Sequence, residues 1–241
     1  VSAFLLNRSS DLEMHGCTHG QHFRERGVVD MIIGDINTIM MMKTSPLPTG
    51  YTLLNYLQGN GNDSSNRPYI NLGFYFTESQ MFTIVIDAQI TSKRASNNFF
   101  GKYGSTGANS WRVIMGGGTG NFSMALGEAV NTGITVDTAR HTFSLDRNTM
   151  KWQIDNQSGN LTDNSYGTNT SSWWLFGWQH GNTQYANFSN AKIYDFKTYL
   201  NGILNHHLLP ALRDADTTPG MYDIITDTFF VNAGTGSFTY G

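Results

Sequence analysis

Apolar and polar residues alternate along most of the chain from residue 51 onward, and this two-residue period limits the possible folds more than any other feature. The clearest example is FTIVIDAQIT, residues 82–91, which places five apolar side chains on one face of an extended strand: Phe82, Ile84, Ile86, Ala88 and Ile90. Successive side chains of a strand point to opposite faces, so such a segment buries one face only. The pattern therefore predicts half-buried β-strands.

The segment HTFSLDRNTMKWQID, residues 141–155, predicts a β-hairpin. Phe143 and Leu145 alternate before the turn DRN, and Trp152 and Ile154 alternate after it, so all four are expected to face the core. Further short strands are separated by turns rich in Gly, Asn and Ser, which is typical of an antiparallel sandwich or barrel. No helix longer than two turns is expected; a single turn is expected at most in HHLLPALRDAD, where Pro210 would interrupt it.

The composition narrows the classes of partner. The 241 residues suffice for one large β domain or two small domains, and the single cysteine provides no intrachain disulfide framework. A net charge of −3 with 14% charged residues argues against nucleic acid as a partner. The apolar run MIIGDINTIMMM is too short for a membrane span and contains Asp35, so no membrane insertion is expected.

The first 45 residues differ from the rest, because they show no sustained period. VVDMIIGDINTIMMM predicts a small hairpin with Gly34 and Asp35 at its tip. KTSPLPTG follows as a stiff connector, since Pro46 and Pro48 favour extended backbone. We therefore predict an attachment arm over residues 1–45 and a β domain over residues 46–241. The apolar residues of the arm are expected to contact another protein.

The stretch HGCTHGQH, residues 15–22, concentrates potential metal ligands in the arm. In an extended strand His15, Cys17 and His19 would share a face, and imidazole and thiolate suit zinc or iron. Three copies meeting on the axis of a trimer could complete a coordination shell. The spacing matches no standard zinc module, however, and Gly16 and Gly20 loosen the strand. We favour an arm without a cofactor and keep a metal ion as the alternative.

Sugar binding requires an aromatic ring beside groups that hydrogen-bond hydroxyls, and WWLFGWQHGNTQY combines both. Alternation would place Trp173 and Leu175 on one face and Trp174, Phe176 and Trp178 on the other. We favour a strand buried on both faces. The alternative is a carbohydrate site at the end of this strand, built from these residues: Trp178, His180 and Asn182, with Tyr103 or Trp111 nearby.

Several segments resemble a known family of domains. PLPTGYTLLNYLQGNGN with RPYINLGFYFTES, and the C-terminal LLPALRDADTTPGMYDIITDTFFVNAGTGSFTYG, resemble the concanavalin A-like, or laminin G-like, jelly-roll domain of tail and surface proteins of phages and prophages from gut bacteria. The resemblance covers about residues 46–241. It implies an all-β, two-sheet antiparallel jelly-roll sandwich. It leaves function open, because the fold carries lectins, hydrolases and structural modules.

A hydrolase on this fold needs two carboxylates across a cleft. The hydrolase signature Glu-x-Asp-x-Glu of such domains is absent, and the four glutamates are scattered along the chain: Glu13, Glu25, Glu78 and Glu128. Asp223 and Asp227 are four residues apart, but they flank a predicted turn and are expected to stabilise it. We therefore expect no enzyme.

The resemblance implies a module on a phage virion or on the extracellular surface of a bacterium, and the missing hydrolase signature favours a non-enzymatic one. It would recognise a host or mucosal glycan, attach to other surface proteins through residues 1–45 and form a homo-oligomer. One alternative is a structural virion protein that binds no sugar. The other is a glycan hydrolase with an unfamiliar carboxylate pair.

Overall fold

A computed structural model of the chain describes residues 45–61, 67–77, 79–93, 97–103, 110–115, 120–162, 172–180 and 189–241. Residues 1–44 of the predicted arm, with its hairpin and its candidate metal ligands, lie outside these residues, so the attachment arm stays a prediction. The described residues contain no α-helix, as the alternation predicts. None of their elements is a helix long and apolar enough to cross a membrane.

The described residues form seventeen strands in two sheets. In chain order they are β1 (Tyr51–Leu53), β2 (Leu57–Asn60), β3 (Ile70–Asn71), β4 (Phe82–Ile90), β5 (Asn97–Tyr103), β6 (Ser110–Met115), β7 (Asn121–Thr135), β8 (Arg140–Asp146), β9 (Lys151–Ile154), β10 (Gln157–Asn160), β11 (Trp174–Leu175), β12 (Gln179–His180), β13 (Asn190–Leu200), β14 (Ile203–Arg213), β15 (Thr218–Asp223), β16 (Thr228–Val231) and β17 (Thr239–Tyr240).

The larger sheet has the strand order β10-β9-β8-β4-β13-β14-β15-β16. β1 pairs with β14, β2 pairs with β13, and β17 pairs with β2. The smaller sheet has the order β3-β11-β5-β6-β7, and β12 runs parallel to β5. The other pairings among the described strands are antiparallel, so the chain is an all-β protein of two antiparallel sheets.

The two sheets pack face to face around an aromatic core. Phe99 of the smaller sheet lies 5.1 Å, between ring centroids, from Phe143 of the larger one, and Phe100 lies 5.2 Å from Phe196. Trp173, which is fully buried, packs edge-on against Phe82 at 5.6 Å. Such sheet-on-sheet packing makes the fold a β-sandwich.

Two local predictions are confirmed. Residues of β4 alternate between buried and partly exposed along the whole strand, with the five predicted apolar side chains inside. β8 and β9 form the predicted hairpin, in which Phe143 lies opposite Ile154 and Leu145 opposite Trp152. All four of these side chains are at most 6% exposed.

The predicted helical turn in HHLLPALRDAD is wrong, because Ile203–Arg213 is a single strand. Leu208 of β14 pairs with Phe196 of β13, whereas Ala211 pairs with Leu53 of β1, so the partner of this edge changes near Pro210. The Pro210 carbonyl accepts a hydrogen bond of 3.0 Å from Leu54 N on that edge. A proline is tolerated in a strand where the ladder is interrupted, since its missing N–H breaks no regular pair there.

The outer face of the larger sheet divides into two parts. Over β14 and β15, Leu47 packs with Ala211 and Tyr222 in a small apolar cluster that also includes Tyr51 and Phe229. On β4, β8, β9 and β10 the outward side chains are partly or fully exposed. We call this second part, together with the outward residues of β13 and His207 of β14, the polar face.

Candidate functional site

The polar face arises from strict alternation in strands whose other face forms the core. Ile84 and Ile86 point inward on β4, which turns Thr83, Val85 and Asp87 outward. The same holds on β8 and β9, where buried Phe143 and Trp152 alternate with polar neighbours. Most outward positions carry hydroxyl, amide or charged groups, which can hydrogen-bond a polar ligand.

The cross-strand register aligns these outward residues into rows perpendicular to the strands. The first, which we call the Ser144 row, crosses six strands from β14 to β10: His207, Lys197, Val85, Ser144, Gln153 and Ser158. The second, which we call the Asp146 row, runs beside it: Tyr199, Thr83, Asp146, Lys151 and Asn160.

A shallow depression of about 310 Å³ lies on β8, β9 and β10. It is lined by members of both rows and by two further residues: Thr83, Ser144, Asp146, Thr149, Lys151, Trp152, Gln153 and Ser158. Its volume lies near the lower end of the range of small-ligand pockets, which begins at about 300 Å³. Its lining offers hydroxyls, an amide, an ammonium group and a carboxylate.

Asp146 is the carboxylate of the depression, and its neighbours hold it ionised. Thr149 Oγ1 donates to Oδ2 at 2.7 Å, and Asn148 N and Thr83 Oγ1 donate to Oδ1 at 2.9 and 3.1 Å. Burial alone would raise the pKa of Asp146, but these hydrogen bonds outweigh it and lower the pKa below 3.8. The group is therefore a fixed acceptor rather than a proton donor at neutral pH.

A cluster of aromatic and cationic side chains lies at the other end of the polar face. Arg140 makes a bidentate pair with Asp87, with N···O distances of 2.7 and 2.5 Å, and its guanidinium carbon lies 3.8 Å from the centroid of the Tyr194 ring. Lys192 Nζ lies 4.0 Å above the ring of Tyr56. These rings therefore carry cations on one face and are stabilised by them.

Asp195 joins two cations in the middle of the polar face. Its Oδ2 accepts from Lys197 Nζ at 2.8 Å and lies 3.1 Å from His207 Nε2. Burial would raise the pKa of Asp195, but hydrogen bonds from His207 and Lys197 lower it. Lys197 is thereby held in one position on the Ser144 row.

His141 bridges two carboxylates at the border of the hairpin. Its Nδ1 lies 2.6 Å from Asp155 Oδ2 and its Nε2 lies 2.8 Å from Asp137 Oδ1. Burial disfavours the imidazolium form, but the two hydrogen bonds outweigh it and raise the pKa of His141 above 6.5. The bridge connects β8 to the β9–β10 turn and so supports the strands of the depression.

Asp223 is the last residue of β15 and Asp227 ends the turn that follows, at the predicted position. Asp223 is fully buried, accepts from Ile225 N at 3.0 Å and Thr226 Oγ1 at 2.7 Å, and pairs with His206 Nδ1 at 2.6 Å. Burial would raise its pKa, but these hydrogen bonds lower it to about 2. Asp227 accepts a hydrogen bond from the hydroxyl of Tyr222. Both aspartates stabilise the turn, and Asp223 also links it to β14 through His206 and through His207 N, which donates to it at 3.0 Å.

The predicted carbohydrate residues are placed only in part. The side chain of Trp178 is 9% exposed, so its ring offers little surface for stacking. The parallel pairing of β12 with β5 sets His180 beside Tyr103, and Trp111 lies opposite Lys102 on the neighbouring strand. Asn182, and the side chains of His180, Tyr103 and Trp111, lie outside what the structure describes. The site predicted there stays a prediction.

Residues 173–178, WWLFGW, are buried, as favoured from the sequence, but the predicted orientation is wrong at one residue. Trp174 leaves the main core and stacks on Tyr69 at 3.9 Å between centroids. Phe176 was expected on the same face, yet it joins the main core against Phe238. Its φ of +65° breaks the strand geometry after β11 and reverses the alternation.

The depression was not predicted from the sequence, although the polar positions of the hairpin were visible in the alternating letters of HTFSLDRNTMKWQID.

Within the described residues, no group of three or more His, Cys, Asp or Glu side chains could hold a metal ion. No protein-family profile matches the chain, and no curated protein matches it in sequence.

Proposed function

We propose that this chain is a non-enzymatic carbohydrate-recognition module that binds sugar hydroxyls in the depression on β8, β9 and β10. The observation that carries the proposal is the convergence of Ser144, Asp146, Gln153 and Ser158 on one depression of about 310 Å³. Sugars present many hydroxyls that both donate and accept, and a mixed set of hydroxyl, amide and carboxylate groups satisfies them.

The chemistry of the depression supports binding over hydrolysis. Glycoside hydrolysis needs two carboxyl groups about 5–9.5 Å apart, one of which supplies a proton. Asp146 is the one carboxylate among the described lining residues, and its lowered pKa makes it a poor proton donor at neutral pH. Its Oδ1 accepts three hydrogen bonds from the protein, whereas Oδ2 accepts one, from Thr149 Oγ1, and is the atom suited to accept a further one from a bound sugar.

We place the module on a phage virion or on the extracellular surface of a bacterium, where it would recognise a host or mucosal glycan. This setting rests on the resemblance of residues 46–241 to surface domains of that kind. A shallow polar depression binds one sugar weakly, and display of several copies on a particle would raise the overall avidity. The setting and the site therefore fit one another.

A glycan array probed with the purified chain tests the proposal. The variant Ser144→Trp would fill the depression with an indole from a solvent-facing position, and we expect it to lose binding while its melting temperature stays unchanged. Ser237→Trp, at an exposed serine elsewhere, is the matched control and should bind like the unaltered chain. Equal binding by both variants, or no binding of the unaltered chain to any glycan, would overturn the proposal.

A structural role is the second candidate, and an exposed apolar pair favours it. The side chains of Met81 and Ile203 are 43% and 73% exposed. They lie close in the fold, because Asn201 N, in the turn before Ile203, donates to Met81 O at 2.8 Å. Exposed apolar clusters often mark protein contacts. If they hold copies of this chain together, Met81→Ser with Ile203→Ser will lower the sedimentation coefficient, whereas the control Val231→Ser will not.

A further inference from the structure

We infer that the ligand is an extended oligosaccharide lying across the strands, rather than a single terminal sugar. The inference rests on the proposed function and specifies the ligand class of the same site. Its basis is the Ser144 row, which continues from the depression over the middle of the polar face. The row leaves the depression at Ser144 and passes Val85 before it reaches Lys197 and His207.

The length of the row follows from its register. Six strands contribute one residue each, so the row covers five interstrand steps. Neighbouring strands lie roughly 4.8 Å apart, and the row is therefore about 24 Å long. One sugar ring fills only the end of such a row. An oligosaccharide of several rings would reach from Ser158 on β10 to Lys197 on β13.

The groups along the row suit such a chain. Ser158, Gln153 and Ser144 offer neutral donors and acceptors at one end. Lys197 Nζ, fixed by Asp195 at 2.8 Å, offers a positioned donor at the other. Val85 lies between them, and its partly exposed side chain gives an apolar surface on which the C–H face of a sugar ring can rest.

The ends of the row differ, which gives the site a direction. Beyond His207 the sheet surface becomes apolar, because Leu209 and Ile224 belong to the cluster under Leu47. At the other end β10 is the last strand of the sheet order among the described residues, so the row runs out to the sheet edge there. A bound oligosaccharide would end near His207 and could extend past Ser158 at the other end.

Length-graded glycans test the inference. An array is printed with monomer-to-hexamer series of β1,4-linked glucose, β1,4-linked N-acetylglucosamine and α1,4-linked galacturonic acid, together with sialyllactose as a short terminal probe. We expect affinity to rise at least roughly tenfold from dimer to hexamer in the series that binds, because each added ring gains further hydrogen bonds. Equal affinity at all lengths, or binding of sialyllactose alone, would refute the extended ligand and leave the proposed function intact.

Variants at the two ends of the row sharpen the test. Gln153→Ala should weaken dimer and hexamer alike, whereas Lys197→Gln should weaken only the hexamer, by roughly tenfold. The matched controls are Gln157→Ala, on the opposite face of β10, and Lys93→Gln in an exposed loop; both should bind normally. If Lys197→Gln leaves hexamer binding unchanged, the extended site is wrong. If the unaltered chain binds no probe, the proposed function fails with it.

Discussion

Gly159 on β10 makes close contact with a core tryptophan, and its replacement by alanine gives a quantitative test of the fold beneath the depression. A Cβ added at Gly159 would lie 2.5 Å from Cζ2 and 2.7 Å from Cε2 of Trp152, whereas ordinary contact begins at 3.4 Å. Trp152 is 6% exposed, so its indole cannot swing freely into solvent. Either the indole or β10 must move in Gly159→Ala.

The expected cost follows from two opposing terms. Overpacking of a well-packed site costs about 1–3 kcal/mol. Replacing glycine by alanine also restricts the unfolded chain, which raises the free energy of unfolding by about 0.4–1 kcal/mol. This gain applies here because Gly159 does not have a positive φ. We therefore expect Gly159→Ala to lower the free energy of unfolding by about 1–2 kcal/mol. For a domain of this size that is a fall of about 2–8 °C in melting temperature.

A double-mutant cycle identifies the cause. Trp152→Phe removes the atoms that the new Cβ would meet, so Gly159→Ala should cost about 1 kcal/mol less in that background. Urea unfolding of the four proteins measures the coupling. Additivity within about 0.5 kcal/mol would refute the reasoning, because the cost would then not come from contact with the indole. Ser158→Ala, one residue away, serves as a control and should leave stability nearly unchanged.

Three further predictions concern buried or paired groups. His141→Asn should destabilise the chain most between about pH 4 and pH 6.5. The pKa of His141 is raised by folding, so the stability it contributes is lost as pH rises through that pKa. The pKa values of Asp137 and Asp155 are lowered by folding, so the stability they contribute is lost as pH falls through those pKa values. Thermal melts at pH 5.5 and pH 9 should show the larger difference at pH 5.5, and an equal difference would contradict the bridge. Asp223→Ala should lower the free energy of unfolding in urea by about 3–5 kcal/mol at pH 7. The loss should shrink as pH falls below 3.8 toward the pKa of about 2 that Asp223 has in the folded protein. A loss under 1 kcal/mol at pH 7 would show that the buried Asp223–His206 pair is unimportant for stability. Trp178→Ala should cost about 3–5 kcal/mol, and a small loss in thermal melts would indicate that its ring is free to bind a ligand after all.

The larger part of the fold was predictable because it depends on local alternation. FTIVIDAQIT and HTFSLDRNTMKWQID each encode which face of their strands is buried, and burial of that face does not require knowledge of the neighbouring strands. The two local errors have causes that the letters do not reveal. Phe176 adopts a positive φ, and Pro210 is accommodated only because β14 changes partners beside it.

The candidate site was not predictable in the same way, because it depends on register between distant segments. Thr83 and Asp146 meet across 63 positions of sequence, and Val85 and Lys197 meet because β4 pairs with β13 rather than with another strand. A shift of one residue in either pairing would turn these polar side chains inward. Alternation thus determined that the chain has a polar face, and only the pairing of the strands decided which hydroxyl, amide and carboxylate groups share one depression on it.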